Sequence, residues 1–425
     1  MNEMKSGNGG TIRLPELLAP AGNYEKLVTA VHYGADAVYL GGERFSLRAK
    51  AGNFSREEMI RAIDYAHSHG VKVYVTVNIL AHNADLAGLD EYLRFIAGQG
   101  ADAVIVADPG VLKRARKTVP ELPLHLSTQA NVTNVAAAEF WFEQGACRLN
   151  LARELSLAEI ATIRRRLAGE LEVFVHGALC ISYSGRCLLS SYLTGRNANQ
   201  GNCAHPCRYS YALVEEKRPG QYFPVEEDER GTYIFNAKDL CLLEMLPQLV
   251  AAGVDSLKIE GRMKSIFYVG GVVRVYRLAL DYLRTVPGEA WLQPETIRIP
   301  EAYLAEIARL GTRGMTSNFL FTRPGAGEMN YRSSRILPEY EPVAVLRGVG
   351  HQPRVEVRNT LLPGTEVEYM GRTIDSQTVV IRHIFDDEGR KLAQANPGNR
   401  VFLDCEPSLK DPEERAILRR KVIRE

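Results

Sequence analysis

The window from residue 178 to residue 211, ALCISYSGRCLLSSYLTGRNANQGNCAHPCRYSY, holds Cys180, Cys187, Cys203 and Cys207, four of the seven cysteines in the 425-residue chain, with six, fifteen and three residues between them. A chain of this length buries enough apolar surface to fold without covalent staples. Its opening, MNEMKSGNGGTIRLPE, has no apolar stretch of the kind that directs export, and no later run is long and apolar enough to span a bilayer, so a cytoplasmic protein with no membrane contact is expected. Thiols stay reduced there, which favours metal ligation or reactivity over a disulfide framework. Three chemistries compete for the cysteines. A structural zinc asks for paired, closely spaced knuckles, and only Cys203 with Cys207 comes near that pattern. A cysteine nucleophile needs a histidine base, for which His176 and His205 are near in sequence, but it leaves the other thiols without a role. An iron–sulfur cluster takes four thiolates from irregular spacing. Spacing by itself leaves cluster and zinc both open.

Basic side chains flank the same segments: Arg186, Arg196, Arg208, Lys238, Lys258, Arg262 and Lys264. The whole chain carries 52 basic and 51 acidic side chains, a net charge of +1, so no general attraction to nucleic acid is expected. Binding of RNA phosphates or of an anionic metabolite would need a local patch such as this one. Tyr183, Tyr209 and Tyr211 could stack a flipped base, although packing explains them equally well.

The elements that must position these groups follow from a recurring phrase: a helical stretch, a glycine, a short polar step and an apolar run. It occurs as VHYGADAVYLGG, AHSHGVKVYVTVN, AGQGADAVIVAD, FEQGACRLNLAR and VAAGVDSLKIEG. Each glycine suits a helix C-cap and each apolar run a buried parallel strand. Eight strands are predicted, at 15–20, 37–41, 71–77, 103–107, 122–127, 147–151, 171–176 and 255–260. They point to an α/β fold, a closed (β/α)8 TIM-like barrel, rather than an open doubly wound sheet, since no Gly-x-Gly-x-x-Gly follows the first strand. The long gap between the seventh and eighth strands is a cysteine-rich insertion over 178–245, containing a hairpin around 219–236 and a helix over 238–253 capped by Asp239. That helix would put Cys241 in its first turn, where the helix dipole favours a thiolate. Residues 1–335 form the barrel unit in this reading. Residues 336–425 alternate in short runs and form a small all-β barrel with a charged helix or tail at the end.

In such a barrel the reactive groups gather where strands end. That rule selects His176, near the end of the seventh strand, and Glu260 and Arg262, at the end of the eighth, as catalytic candidates, with Asp108 and Gln129 in similar positions. His67 and His69 are expected at the opposite end, solvated, and Cys147 and Cys405 as small buried hydrophobes.

The segment EVFVHGALCISYSGRCLLS, with Glu172, Phe174, Gly177, Cys180, Gly185, Cys187 and Ser190 in place, closely resembles the signature of the U32 peptidase family. The likeness continues through LLAPAGN, NQGNCAHPCRYSY, FNAKDLC and IEGRMKS and into the C-terminal β domain. The family was labelled collagenase-like, and a peptidase is the alternative reading, but the chain lacks a His-Glu-x-x-His motif and a recognised nucleophile–base pair. The members with worked-out roles are oxygen-independent hydroxylation proteins, acting on a quinone precursor, on ribosomal RNA, or on the wobble uridine of tRNA with prephenate implicated. The resemblance therefore implies a [4Fe-4S] cluster on Cys180, Cys187, Cys207 and Cys241, with Cys203 as the alternative ligand. It also implies prephenate as co-substrate and the tRNA anticodon arm as partner, because the C-terminal β domain is shared with the tRNA-acting branch. That domain would serve as an RNA-docking module or as a lid over the cluster.

Overall fold

The computed structural model describes residues 3–5, 11–47, 53–179, 189–196, 203, 204, 206, 226–228, 231–233, 238–321, 338–350 and 352–422. The five glycines of the recurring phrase, Gly34, Gly70, Gly100, Gly145 and Gly253, have φ of 96°, 72°, 84°, 92° and 77°. This left-handed conformation ends a helix and turns the chain into the next strand at little cost only for glycine. The strands that result are β1 (Glu16–Pro20), β2 (Ala37–Gly41), β3 (Lys72–Val77), β4 (Ala103–Val106), β5 (Leu124–Leu126), β6 (Arg148–Asn150), β7 (Glu170–Ala178) and β8 (Ser256–Ile259). All neighbours are parallel, and β8 pairs with both β1 and β7, so the sheet closes into an eight-stranded barrel. The barrel helices are α1 (Tyr24–His32), α2 (Arg56–Ser68), α3 (Leu89–Gly98), α4 (Pro109–Thr118), α5 (Val135–Glu143), α6 (Leu157–Arg166) and α7 (Leu246–Ala251), with α8 (Ile266–Thr285) and α9 (Glu301–Arg309) after β8.

Asn23, Ser55, Asn134 and Ser156 cap helix starts that follow the strand ends, each side chain accepting a backbone N–H of the first turn. Asp108 does the same for α4, accepting from Val111, so this strand-end carboxylate is a cap. His67 and His69 lie at the far end and are exposed, with His67 2.8 Å from Asp102.

Alternate strand residues point inward. Near the strand starts, Arg148 donates to Glu16 (2.6 Å) and Glu170 (2.8 Å), Tyr74 donates to Glu16 (2.7 Å), and Lys258 donates to Glu172 (2.8 Å). The charges are paired because an isolated ion at such depth would be prohibitive. Leu18, Ala37, Tyr39, Tyr74, Ala103 and Ile105 fill the space around them.

The insertion differs from its sequence reading. Glu226–Asp228 and Gly231–Tyr233 form the expected antiparallel hairpin. Asp239–Cys241, however, is a strand, antiparallel to the end of β7 with Cys241 opposite His176, and the next α-helix starts at Leu246, after a 3-10 turn over Leu243–Met245. Cross-strand pairing to β7 and to Met315–Thr316 overrides the local helical pattern. Asp239 is no cap; it pairs with the buried Arg313.

The C-terminal unit is an antiparallel barrel of β9 (Tyr340–Gly348), β10 (Arg354–Val357), β11 (Glu366–Met370), β12 (Gln377–Phe385), β14 (Arg400–Glu406) and β15 (Ile417–Lys421), with the short β13 (Lys391–Leu392) added to β12. The order β11-β15-β9-β10-β14-β12 closes through pairing of β11 with β12. The expected charged tail is thus β15, hydrogen-bonded on both sides. Its Arg419 is buried and satisfied by Glu306 and Glu368, so the charge of the segment does not make it a surface element. Cys405 is buried as expected, whereas Cys147 is exposed, its thiol donating to the Leu124 carbonyl at 3.4 Å. No helix among the described residues is long and apolar enough to cross a membrane.

Candidate functional site

The mouth of the barrel, where β1 to β8 end, is organised around Arg262. Its side chain is 4% exposed and donates from Nη1 to Ser46 Oγ (2.9 Å), the Leu47 carbonyl (3.2 Å) and Thr76 Oγ1 (3.4 Å), and from Nη2 to Asn53 Oδ1 (2.7 Å). The guanidinium fork therefore ties the chain that follows β2 to the end of β3. Ser46 and Thr76 are themselves joined at 2.6 Å. Lys26 donates to the Arg262 carbonyl at 3.1 Å, and burial together with the Arg262 charge lowers its pKa. Glu260 is half-buried beside this group: Tyr39 donates to the Ile259 carbonyl (2.9 Å) and lies 3.5 Å from Glu260 Oε2.

Further round the mouth, Asn78 accepts from the Leu47 N–H (3.2 Å) and donates to Gln129 Oε1 (2.8 Å), which also accepts from Ser127 Oγ (3.2 Å). Asn150 ends β6 on the inward face shared with Arg148. Ser46, Thr76, Asn78 and Asn150 were not singled out by sequence. The signal that would have found Thr76, Asn78 and Asn150 was the one applied to Glu260, namely polar residues at or just past a strand end.

His176 is placed elsewhere. Lys258 pairs with Phe174 but Ile259 pairs with His176, which leaves Val175 as the extra residue of a bulge in β7. The bulge turns the imidazole onto α8, between the rings of Tyr268 and Tyr276, at centroid distances of 5.9 and 5.5 Å. Tyr276 donates to the Val175 carbonyl at 2.8 Å and lies 3.3 Å from His176 Nδ1. His176 is 3% exposed, and burial pushes its pKa down to about 4, so the ring is neutral. Such a group positions its neighbours rather than meeting a substrate.

Cys241 lies opposite His176, buried, with the Tyr276 hydroxyl within hydrogen-bonding reach. Burial raises the thiol pKa, the reverse of the effect expected from a helix start. Cys203 is half-buried, and the Arg196 guanidinium donates to its carbonyl at 3.4 Å. Cys180, Cys187 and Cys207 lie outside the described residues, as do His205, Arg186, Arg208, Tyr183, Tyr209 and Tyr211. Among the described residues no group of three metal-binding side chains occurs. Of the expected cluster ligands the described residues include Cys241, a soft, enclosed thiol of the kind an iron–sulfur cluster takes, and Cys203. The expected basic patch is smaller than its sequence roster, because Lys258 and Arg262 spend their charges inside the barrel. Lys264 lies over the Tyr268 ring at 5.0 Å.

Residues 22–330 match peptidase family U32, and residues 339–419 match the peptidase family U32 C-terminal domain. The chain belongs to the U32 family. Among U32 relatives it is 39% identical over 384 residues to tRNA hydroxylation protein P1 of Bacillus subtilis, covering 90% of this chain and 89% of that one. It is 43% identical over 307 residues to tRNA hydroxylation protein P of Escherichia coli, covering 63% and 68%. The 23S rRNA 5-hydroxycytidine C2501 synthase of Escherichia coli is 34% identical over 310 residues, covering 73% of this chain and 46% of that one.

Proposed function

We propose that this protein is an RNA-modifying enzyme that hydroxylates C5 of the tRNA wobble uridine without molecular oxygen, with a [4Fe-4S] cluster and with prephenate as co-substrate. The observation that carries the reading is the likeness to tRNA hydroxylation protein P1, which extends over both the barrel and the C-terminal domain. A cluster held by Cys180, Cys187, Cys207 and Cys241, with Cys203 as the alternative ligand, would supply one-electron chemistry. The protein's own groups would do the rest. Glu260, a half-buried carboxylate beside Tyr39 at the end of β8, would be the proton-accepting group of the mouth. Arg262 would hold the mouth in shape, and the amides of Asn78 and Gln129 would form its polar wall. His176 and Tyr276 would fix the strand that carries Cys241.

The experiment is nucleoside mass spectrometry of tRNA from a strain lacking the gene, with and without the restored gene. It is paired with iron and sulfide analysis of anaerobically purified wild type and of Cys241→Ala. The expected result is loss of 5-hydroxyuridine derivatives in the deletion strain, recovery with wild type, and a variant that recovers neither modification nor iron. Unchanged tRNA nucleosides in the deletion strain would sink the substrate assignment, and full iron content in Cys241→Ala would remove Cys241 from the ligand set.

A further inference from the structure

We propose that the outer face formed by α5 and the last turns of α4 and α6 is a docking surface for the phosphate backbone of RNA, on the flank of the barrel and away from its mouth. The inference rests on the reading of the protein as an RNA-modifying enzyme and adds a second contact with the same partner.

α5 is unusual for a helix of the outer ring. Apart from Glu139 and Glu143 each of its nine residues is apolar, yet only Ala138 is buried. Phe140 is 51% exposed and meets the half-buried Trp141 edge to face, with ring centroids 5.3 Å apart. A ring helix normally turns its apolar stripe inward and its polar face to water. Here an aromatic ring stands outward.

Contacts on both sides make one surface of this helix and the ends of its neighbours. Arg116, in the last turn of α4, donates to the Gln144 carbonyl at 2.7 Å, and its guanidinium lies against Gly145, where a Cβ would stand 2.9 Å from Nε. Phe142 packs over Gly169 so closely that a Cβ there would lie 2.0 Å from its ring. The Gly169 carbonyl in turn accepts from Arg164 of α6 at 2.9 Å.

On the two flanks, Lys113, Arg116 and Lys117 of α4 and Arg165 and Arg166 of α6 are exposed. None of the five has a carboxylate partner among the described residues; Arg116 holds the Gln144 carbonyl, and Arg165 donates to Thr162 Oγ1 at 2.9 Å. Exposed arginines elsewhere do find one, as in Arg56 with Glu91, Arg382 with Glu406 and Arg390 with Asp386. The five cations outnumber the exposed carboxylates of the same turns, Glu121, Glu139 and Glu143. Two cationic rims with an aromatic face between them match a nucleic-acid backbone, whose phosphates pair with the cations while a ribose or an unstacked base covers the ring. A second copy of the chain would bring like-charged rims together. One exposed phenylalanine beside the edge of a tryptophan is too little apolar surface to hold a bilayer. The ten residues of α4 rise about 15 Å from the mouth, so RNA whose loop enters the mouth can run down the flank onto this surface.

The test is the binding of purified, iron-loaded protein to a tRNA transcript with a wobble uridine, measured over a range of salt concentrations. Lys113→Ala, Lys117→Ala, Arg165→Ala and Arg166→Ala are combined in one variant, which spares Arg116 because it holds α5 in place; Phe140→Ala is a second. Melting temperature and iron content are expected at wild-type values, since all these side chains are exposed. The combined variant is expected to bind about tenfold more weakly, with the slope of log affinity against log salt shallower by about 2. Phe140→Ala is expected to bind about fivefold more weakly with the slope unchanged. Arg390→Ala, which removes an exposed charge from the C-terminal barrel, is expected to match wild type. Wild-type binding in either of the first two variants overturns the docking surface, as does an equal loss in Arg390→Ala. Self-association that Phe140→Ala abolishes would give the face to a second copy, and binding to anionic phospholipid vesicles that it abolishes would give the face to a membrane; either overturns the RNA assignment. If tRNA nucleosides are unchanged in the deletion strain while these variants lose RNA binding, the reaction assignment falls and the surface stands.

Discussion

Arg262 carries charge at a catalytic-looking position, yet it donates to structural groups: two hydroxyls, a carbonyl and an amide drawn from Ser46, Leu47, Asn53 and Thr76. Arg262→Lys keeps the charge but offers a single point donor that cannot reach all four acceptors. The expected result is a loss of about 2 kcal/mol of stability, as for hydrogen bonds to a charged group, with faster amide exchange at Ser46 and Leu47. Exchange and stability at wild-type levels would show that the fork is dispensable. The position of Arg262 was legible because strand ends attract reactive groups. Its role was not, since its partners lie some two hundred residues away in sequence and only barrel closure brings them together. His176 is the complementary case: the residue was visible, but the bulge that turns it onto α8 depends on how β7 pairs with β8.

At the level of elements, the eight barrel strands could be read because helix-capping glycines and buried apolar runs repeat together, and each signal is local. The strand Asp239–Cys241 and the terminal β15 could not, because both are set by the strands they pair with rather than by a local signal. The same close packing makes a prediction about glycines. A Cβ at Gly22 would stand 1.9 Å from the Arg262 carbonyl oxygen, a backbone atom that cannot swing aside. At Gly70 the φ is 72° but nothing lies within 4 Å, so an alanine there meets only backbone strain. Gly70→Ala is expected to cost about 1–2 kcal/mol. Gly22→Ala adds overpacking where β1 meets the mouth and is expected to cost about 3 kcal/mol and to disturb the Arg262 network. Urea unfolding of the two variants side by side decides; a Gly22→Ala no worse than Gly70→Ala would refute the close approach.

Across the whole molecule, the C-terminal barrel is fastened to α1, α8 and α9. Tyr33 donates to the Met370 carbonyl (2.8 Å) and accepts the Ile417 N–H (3.2 Å), while Glu306 receives both Arg274 (2.8 Å) and Arg419 (3.0 Å). His32 sits at this seam, largely buried, 3.4 Å from Glu413. Burial first, and then the charges of Arg372 and Arg415, push its pKa down from 6.5 to about 4. Between those two values the unfolded chain binds more protons than the folded one, so stability rises with pH there. The contribution is complete above about pH 6.5 and is lost as the pH falls toward 4. The resulting cost is about 2 kcal/mol on going from pH 7 to pH 5. His32→Gln removes the titration, and comparing the two proteins cancels carboxylates and histidines elsewhere. The difference in unfolding free energy between pH 7 and pH 5 is therefore expected to be smaller in the variant by about 2 kcal/mol. An identical pH response in both proteins would mean that His32 is solvated and that the seam between the two barrels is open.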